Sequence, residues 1–187
     1  MDFSTDIEKC VEVIKAGGLI LYPTDTIWGI GCDATNEQAI DKIYQLKNRP
    51  ASKSMIILVA EERDVLQYVA SPDLRLFDYL QTVERPTTVI YESAVGLPSN
   101  IINEDGSIAI RITQDPFCRH LIKRLRKPIV STSANFSGQK SPAKFSMIPE
   151  EIINGVDYVV KYRQDDQEEI SASHIIRWEN GAVVTIR

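Results

Sequence analysis

The chain has 187 residues, 43% of them hydrophobic and 25% charged, and a formal net charge of -5. This length and composition fit one soluble globular domain over residues 1–187, and the acidic balance argues against bulk, sequence-independent binding to nucleic acid. Two histidines and three widely spaced cysteines, with no CxxC, HxxxH or HExxH spacing, argue against a disulfide framework, a structural zinc site or a zincin, so no protein-bound metal is expected.

The opening segment MDFSTDIEKC carries acids where a signal peptide would carry bases. Its apolar runs are far short of the ~20 residues that span a bilayer, which predicts a cytoplasmic protein with no membrane partner. Thr5-Asp6-Ile7-Glu8 reads as a capping box. Ile7, Cys10, Val11 and Ile14 then share a helical face, and Gly17-Gly18 stops the helix. Leu19 to Tyr22 is a short buried strand ended by Pro23, and a second helix starts at Asn36 with Ile40, Ile43 and Leu46 as its apolar stripe. Met55 to Val59 is a strand. Glu61 to Ala70 and Pro72 to Leu80 read as two helices, the second with Ser71 as cap and Pro72 in its first turn.

Thr87 to Tyr91 and Ile108 to Ile112 are strands, Pro116 to Arg126 is a basic helix, and Pro128 to Ser131 is a strand. Pro149 to Asn154 is a short helix and Val156 to Val160 a strand. The last two strands flank Asn180-Gly181, a two-residue hairpin signal. The alternation predicts an α/β fold with a mixed parallel and antiparallel sheet, with residues 92–106, 136–145 and 165–169 as its mobile stretches.

Several motifs lack the context that would give them chemistry. Gly29-Ile30-Gly31-Cys32-Asp33-Ala34 fits GxGxxA, but residues 47–53 hold no ribose-binding acid and no helix is predicted at Gly31. The plainer reading is a strand whose glycines permit close backbone approach. Gly138-Gln139-Lys140-Ser141 resembles the end of a Walker A motif without its first glycine. His120 and His174 offer little choice of base, and no GxSxG elbow accompanies the serines.

Three polar segments stand where a structural connection does not require them. In Tyr22-Pro23-Thr24-Asp25-Thr26-Ile27-Trp28-Gly29-Ile30-Gly31, hydroxyls and an acid follow a strand end, where ligand crevices form. A capped turn is the structural alternative. Lys47-Asn48-Arg49-Pro50, with Lys53 beyond, suits a polyanion such as a triphosphate, or else a basic end complementing a helix dipole. Ser131-Thr132-Ser133-Ala134-Asn135 packs hydrogen-bonding side chains after a strand, either to read a ligand or to cap a turn.

Their joint order, YPTDTxxGxG, then KxRP, then STSAN, makes the chain resemble the YrdC/Sua5/TsaC family, the L-threonylcarbamoyladenylate synthases, in its short single-domain form. The resemblance runs from about Leu19 to the C-terminus and includes Ile108-Ala109-Ile110-Arg111 and the final Arg187. It implies a twisted mixed sheet with flanking helices around an open, positively lined cavity. It also implies condensation of L-threonine, bicarbonate or CO2, and ATP into threonylcarbamoyl-AMP with release of pyrophosphate, for the t6A37 modification of tRNA.

By motif position the resemblance places Lys47 and Arg49 on the triphosphate as the catalytic pair. It places Thr26, Arg111, Ser131 and Ser173 on threonine, and Arg49, Lys53, Ser107, Ser133, Asn135, Ser141 and Arg187 on ATP. Mg2+ would accompany ATP. The partners it implies are the downstream tRNA threonylcarbamoyl-transferase machinery and a weak tRNA contact. Such a reaction needs positioning and charge neutralisation rather than histidine. Asn48 stands where the family often has glycine, Lys53-Ser54 where it often has Asn-Pro or Lys-Pro, and Glu84-Arg85-Pro86 where Pro-Gly-Pro is common. The alternatives are a non-catalytic RNA-binding or ribosome-assembly module, supported by the basic stretch 119–127, and a paralogue acting on another carbamoyl or nucleotide substrate.

Overall fold

The structure is a computed structural model that describes residues 2–50, 55–168 and 170–186. Helix α1 (Ser4–Lys15) buries Ile7, Cys10 and Ile14. The Thr5/Glu8 capping box does not form, because the helix begins two residues earlier, with Phe3 at the N-cap position, and Asp2 Oδ1 accepts the Ser4 amide at 2.9 Å. Asp6, in the first turn of α1, accepts from Tyr158 Oη at 2.6 Å and the amides of Lys161 and Tyr162 at 3.1 and 2.9 Å. Gly17, at φ +76°, turns the chain out of the helix.

Among the described residues nine strands follow: β1 (Ile20–Tyr22), β2 (Gly29–Gly31), β3 (Ile56–Val59), β4 (Thr87–Tyr91), β5 (Ile108–Ile112), β6 (Ile129–Ser133), β7 (Tyr158–Val159), β8 (His174–Glu179) and β9 (Ala182–Thr185). Their order in the sheet is β7-β1-β2-β6-β3-β5-β4-β8-β9. The pairs β1/β7, β3/β5 and β4/β8 are parallel and the others antiparallel, so the sheet is mixed as expected. Asn180 and Gly181, both at positive φ, make the predicted turn between β8 and β9.

The helices are α2 (Glu37–Leu46), α3 (Glu62–Val65), α4 (Arg75–Gln81), α5 (Pro116–Leu125) and α6 (Glu150–Asn154). Asn36 caps α2 by accepting the Ala39 amide at 3.1 Å. The helix expected over residues 61–70 stops at Val65, because the backbone beyond it is drawn across to a neighbouring segment. Ala70 N donates to Ser93 O, and Val95 N to Tyr68 O, each at 2.9 Å. The next helix starts at Arg75 rather than Pro72, since Ser71 sits at φ +53° and Asp73 Oδ1 captures the Arg75 amide at 3.0 Å. Helices α1 and α5 pack together, α1 against β1 and α5 against β3. Among the described residues no helix is long and apolar enough to cross a membrane.

The strand glycines match the packing reading. A Cβ on Gly31 would lie 2.6 Å from Val130 O and 2.7 Å from Tyr22 Cε1, in a place where the Tyr22 hydroxyl donates to Val130 O at 3.0 Å. Overpacking of this kind costs about 1–3 kcal/mol. Gly31→Ala is therefore expected to lower the thermal midpoint by roughly 2–10 °C, as measured by a melting curve against the wild type. An unchanged midpoint would mean that the Tyr22 ring and the β6 backbone at Val130 both yield freely.

Candidate functional site

The register builds the site. One row of paired residues runs straight across five strands, Ser131 on β6, Ile56 on β3, Ala109 on β5, Ile90 on β4 and Arg177 on β8. All five line a cleft of about 640 Å³ over that face of the sheet. Alternation turns Ile57, Val59, Ile108 and Ile110 to the opposite, buried face. The cleft thus has an apolar floor with a hydroxyl at one end and a guanidinium at the other. Its lining carries Arg49, Arg111 and Arg177 together with Glu104 and Asp105, so the field inside is mixed in sign.

The YPTDT turn, leading from β1 towards β2, supplies one wall. Thr24 Oγ1 accepts the Thr26 amide at 3.0 Å and donates to Ile27 O at 2.9 Å. Its proton is therefore spent on Ile27 O, so the Thr26 hydroxyl is the donor across the 3.0 Å contact between the two oxygens. Thr26 Oγ1 accepts in turn from Arg111 Nη1 at 3.1 Å. Arg111 is only 3% exposed, and its Nη2 lies 3.2 Å from Asp25 Oδ1. The other Asp25 oxygen accepts from Thr113 Oγ1 at 3.3 Å and Gln114 N at 3.4 Å. Among the described residues, Arg111 Nε has no hydrogen-bond partner although it is buried. A buried unpaired N–H on a charged group is costly unless something fills it.

Strand β6 continues through Ser131, Thr132 and Ser133, two residues beyond the predicted end, because β2 and β3 both pair with it there. These hydroxyl residues are therefore held by a sheet rather than by a loop. Ser131, Ser133 and Ser141 line the cleft, as does Ser173, whose Oγ lies 2.9 Å from Thr88 Oγ1. Arg49 lines it too, half-buried.

Lys47 behaves differently from Arg49. It is 1% exposed, and its ammonium donates to Ser133 O and, at 2.6 Å, to Asn135 O. Lys47 O accepts the Ser137 amide at 2.9 Å. Burial, with a smaller contribution from Arg49, pulls the Lys47 ammonium down to about 7. Asn48 between the two sits at φ +47°, a left-handed conformation that asparagine tolerates. This turn sends Lys47 under the β6 segment and Arg49 into the cleft.

Two other expected ligand contacts are occupied within the fold. Ser107 does not line the cleft; its hydroxyl donates to Asp105 Oδ1 at 2.6 Å and accepts from Asn103 Nδ2 at 2.9 Å. It shapes the turn that brings Asn103, Glu104 and Asp105 to the rim. Asn135 Nδ2 donates to Phe136 O at 2.8 Å and Gln139 O at 2.9 Å, folding the following loop. Lys53 and Arg187 lie outside the described residues. Sequence reading missed Trp28, which lines the cleft with its ring 4.8 Å from that of Phe145, and it missed Arg177. Alternation along the strand from Ser173 would have reached Arg177.

The discarded motifs stay discarded. Gly138, at φ +85°, leads into Gln139-Lys140-Ser141 with no helix to present amides to a phosphate. Neither histidine lines the cleft: His120 sits on α5 against the Phe3 ring, and His174 opens β8.

Comparison with known proteins agrees with this architecture. A family model for the Sua5/YciO/YrdC domain, described as "Telomere recombination", matches residues 12–187. A protein of Acinetobacter baumannii named threonylcarbamoyl-AMP synthase is 36% identical over 144 residues, covering 73% of this chain and 76% of its own. One of the same name from Pseudoalteromonas translucida is 28% identical over 163 residues, covering 86% and 87% respectively. The structure of P. abyssi Sua5 complexed with L-threonine superposes with a TM-score of 0.85 at 23% identity. It is matched over 98% of this chain and 54% of its own, so this chain spans about half the length of that protein. On the match to the family model and the extent of the A. baumannii similarity, the chain belongs to the Sua5/YciO/YrdC family.

Proposed function

We propose that the protein is a threonylcarbamoyl-AMP synthase. The threonine amine adds to CO2 derived from bicarbonate to form a carbamate, and a carbamate oxygen then attacks the α-phosphorus of ATP while pyrophosphate leaves. The observation that carries this reading is Arg111, which lines the cleft with Nη1 on the Thr26 hydroxyl, Nη2 on Asp25 and an Nε that has no partner among the described residues. An amino-acid carboxylate would satisfy that donor, and Ser131 and Ser173 would border the rest of the amino acid. Arg49, Ser133 and Ser141 would meet the nucleotide, and Lys53 and Arg187 are assigned to it by motif. Mg2+ enters with ATP as counter-charge on its phosphates. The product would pass to the machinery that modifies tRNA in the cytoplasm.

The reaction asks the protein mainly to collect three reactants and neutralise charge, which is catalysis by positioning and electrostatics. The alternative of a cavity built to grip folded RNA predicts no threonine-dependent adenylate. The test is incubation with ATP, L-threonine and bicarbonate, following pyrophosphate and the adenylate by mass spectrometry. A threonine-dependent adenylate is expected. Its absence beside an active control enzyme would remove the reading.

A further inference from the structure

Arg177 lines the cleft but has no part in the assignments above. Ile175 and Arg177 stand two residues apart on β8 and share its cleft-facing side. Register sets Arg177 beside Ile90, at the opposite end of the paired row from Ser131. Four strand spacings separate the two ends, roughly 19 Å. The cleft therefore has a hydroxyl-bearing wall on β6 and a cationic wall on β8, with Ile56, Ala109 and Ile90 as the floor between them.

The Arg177 guanidinium is only lightly committed to the fold. Its Nη2 lies 3.3 Å from Asp105 Oδ2, longer than a strong ionic hydrogen bond, and the two side chains are 31% and 55% exposed. A pair so exposed adds little to stability. Asp105 does not depend on it, since its other oxygen accepts the Ser107 amide at 3.0 Å and the Ser107 hydroxyl at 2.6 Å. Arg177 can thus exchange one anion for another without the turn at 103–107 coming apart.

Charge balance gives that exchange a purpose. Arg111 is engaged with Asp25 and Thr26. Among the arginines lining the cleft, Arg177 is held by a long, exposed contact to Asp105, and Glu104 and Asp105 oppose a nucleotide bearing several negative charges. We propose that Arg177 is a phosphate-binding residue of the cleft, giving up Asp105 to take the phosphate chain of a nucleoside triphosphate. The proposal rests on the synthase reading for the identity of that nucleotide as ATP.

Equilibrium titration of the full chain with MgATP, and separately with L-threonine, tests it. Arg177→Ala is expected to weaken ATP binding on the order of 10–100-fold and to leave threonine binding unchanged. Arg177→Lys should recover part of the loss, because the charge returns without the planar fork, and Asp105→Asn should tighten ATP binding. Wild-type affinity for ATP in Arg177→Ala overturns the proposal. So does an equal loss of ATP and threonine binding, which would mark Arg177 as structural. A wild-type chain that binds ATP yet releases no pyrophosphate with threonine and bicarbonate defeats the synthase reading while the titration still decides Arg177. One that binds no ATP defeats both.

Discussion

Arg111→Ala is expected to abolish threonine-dependent pyrophosphate release and to destabilise the chain, with the second effect reversible and the first not. Arg111 is 3% exposed on a central strand and is the ionic partner of Asp25. Removing one member of a buried pair leaves the other uncompensated, at a cost of about 3 kcal/mol. Adding Asp25→Asn removes that stranded charge, so the double variant should regain most of the lost stability in urea unfolding. Activity should not return, because the guanidinium proposed to meet the amino-acid carboxylate is gone. Arg111→Lys separates the roles further. It keeps the charge opposite Asp25 but cannot make two parallel N–H bonds, so kcat/KM for threonine should fall while stability stays near wild type. A normal KM for threonine in Arg111→Ala would sink the assignment, whatever happens to stability.

What could be read from the sequence alone was whatever is decided locally. The start of α2 at Asn36, the Asn180-Gly181 turn and the β-branched strands β4 and β5 depend on residues within a few positions of one another, and they form as predicted to within a residue. Where distant segments compete for the same backbone groups, local reading failed. Ser131-Thr132-Ser133 looks like a loop by composition, yet β2 and β3 flank it and claim its amides and carbonyls for the sheet. Residues 66–70 look helical, yet Ala70 N and Tyr68 O pair with the 93–95 segment instead of continuing the helix.

The candidate site divides along the same line. Residue type says that a hydroxyl or cation needs a partner, but not which one. Thr26, Arg49, Arg111, Ser131, Ser133, Ser141 and Ser173 do reach one cleft. Ser107 is spent on an acid two residues away, and Asn135 on the carbonyls of its own loop. The net charge of -5 was equally uninformative here, because the balance inside the cleft is set by which charges the register turns inward.

Lys47 gives the sharpest case, because its two readings predict opposite responses to pH. As a cation on the triphosphate, it would lose ATP affinity as pH rises through about 7, the value to which burial has lowered it. As a support beneath Ser133 and Asn135, it should not, since a neutral amine still has two N–H groups for two carbonyls. The geometry favours the second. Below about pH 7 the folded and unfolded chains both carry the proton, and the cost of burying the charge stands in full. Between about 7 and the ordinary lysine value of 10.5, only the unfolded chain binds the proton, so stability from this group rises with pH. Lys47→Met removes the titration and leaves two carbonyls unpaired. The stability gap between wild type and this variant is therefore expected to widen by roughly 2 kcal/mol from pH 7 to pH 9, read from urea unfolding at both values. Activity of Lys47→Met should drop about 100-fold, because a displacement of the β6 end by 1 Å is enough to misplace the reactants. A pH-independent gap, together with wild-type ATP affinity that falls as pH rises through 7, would return Lys47 to the phosphates.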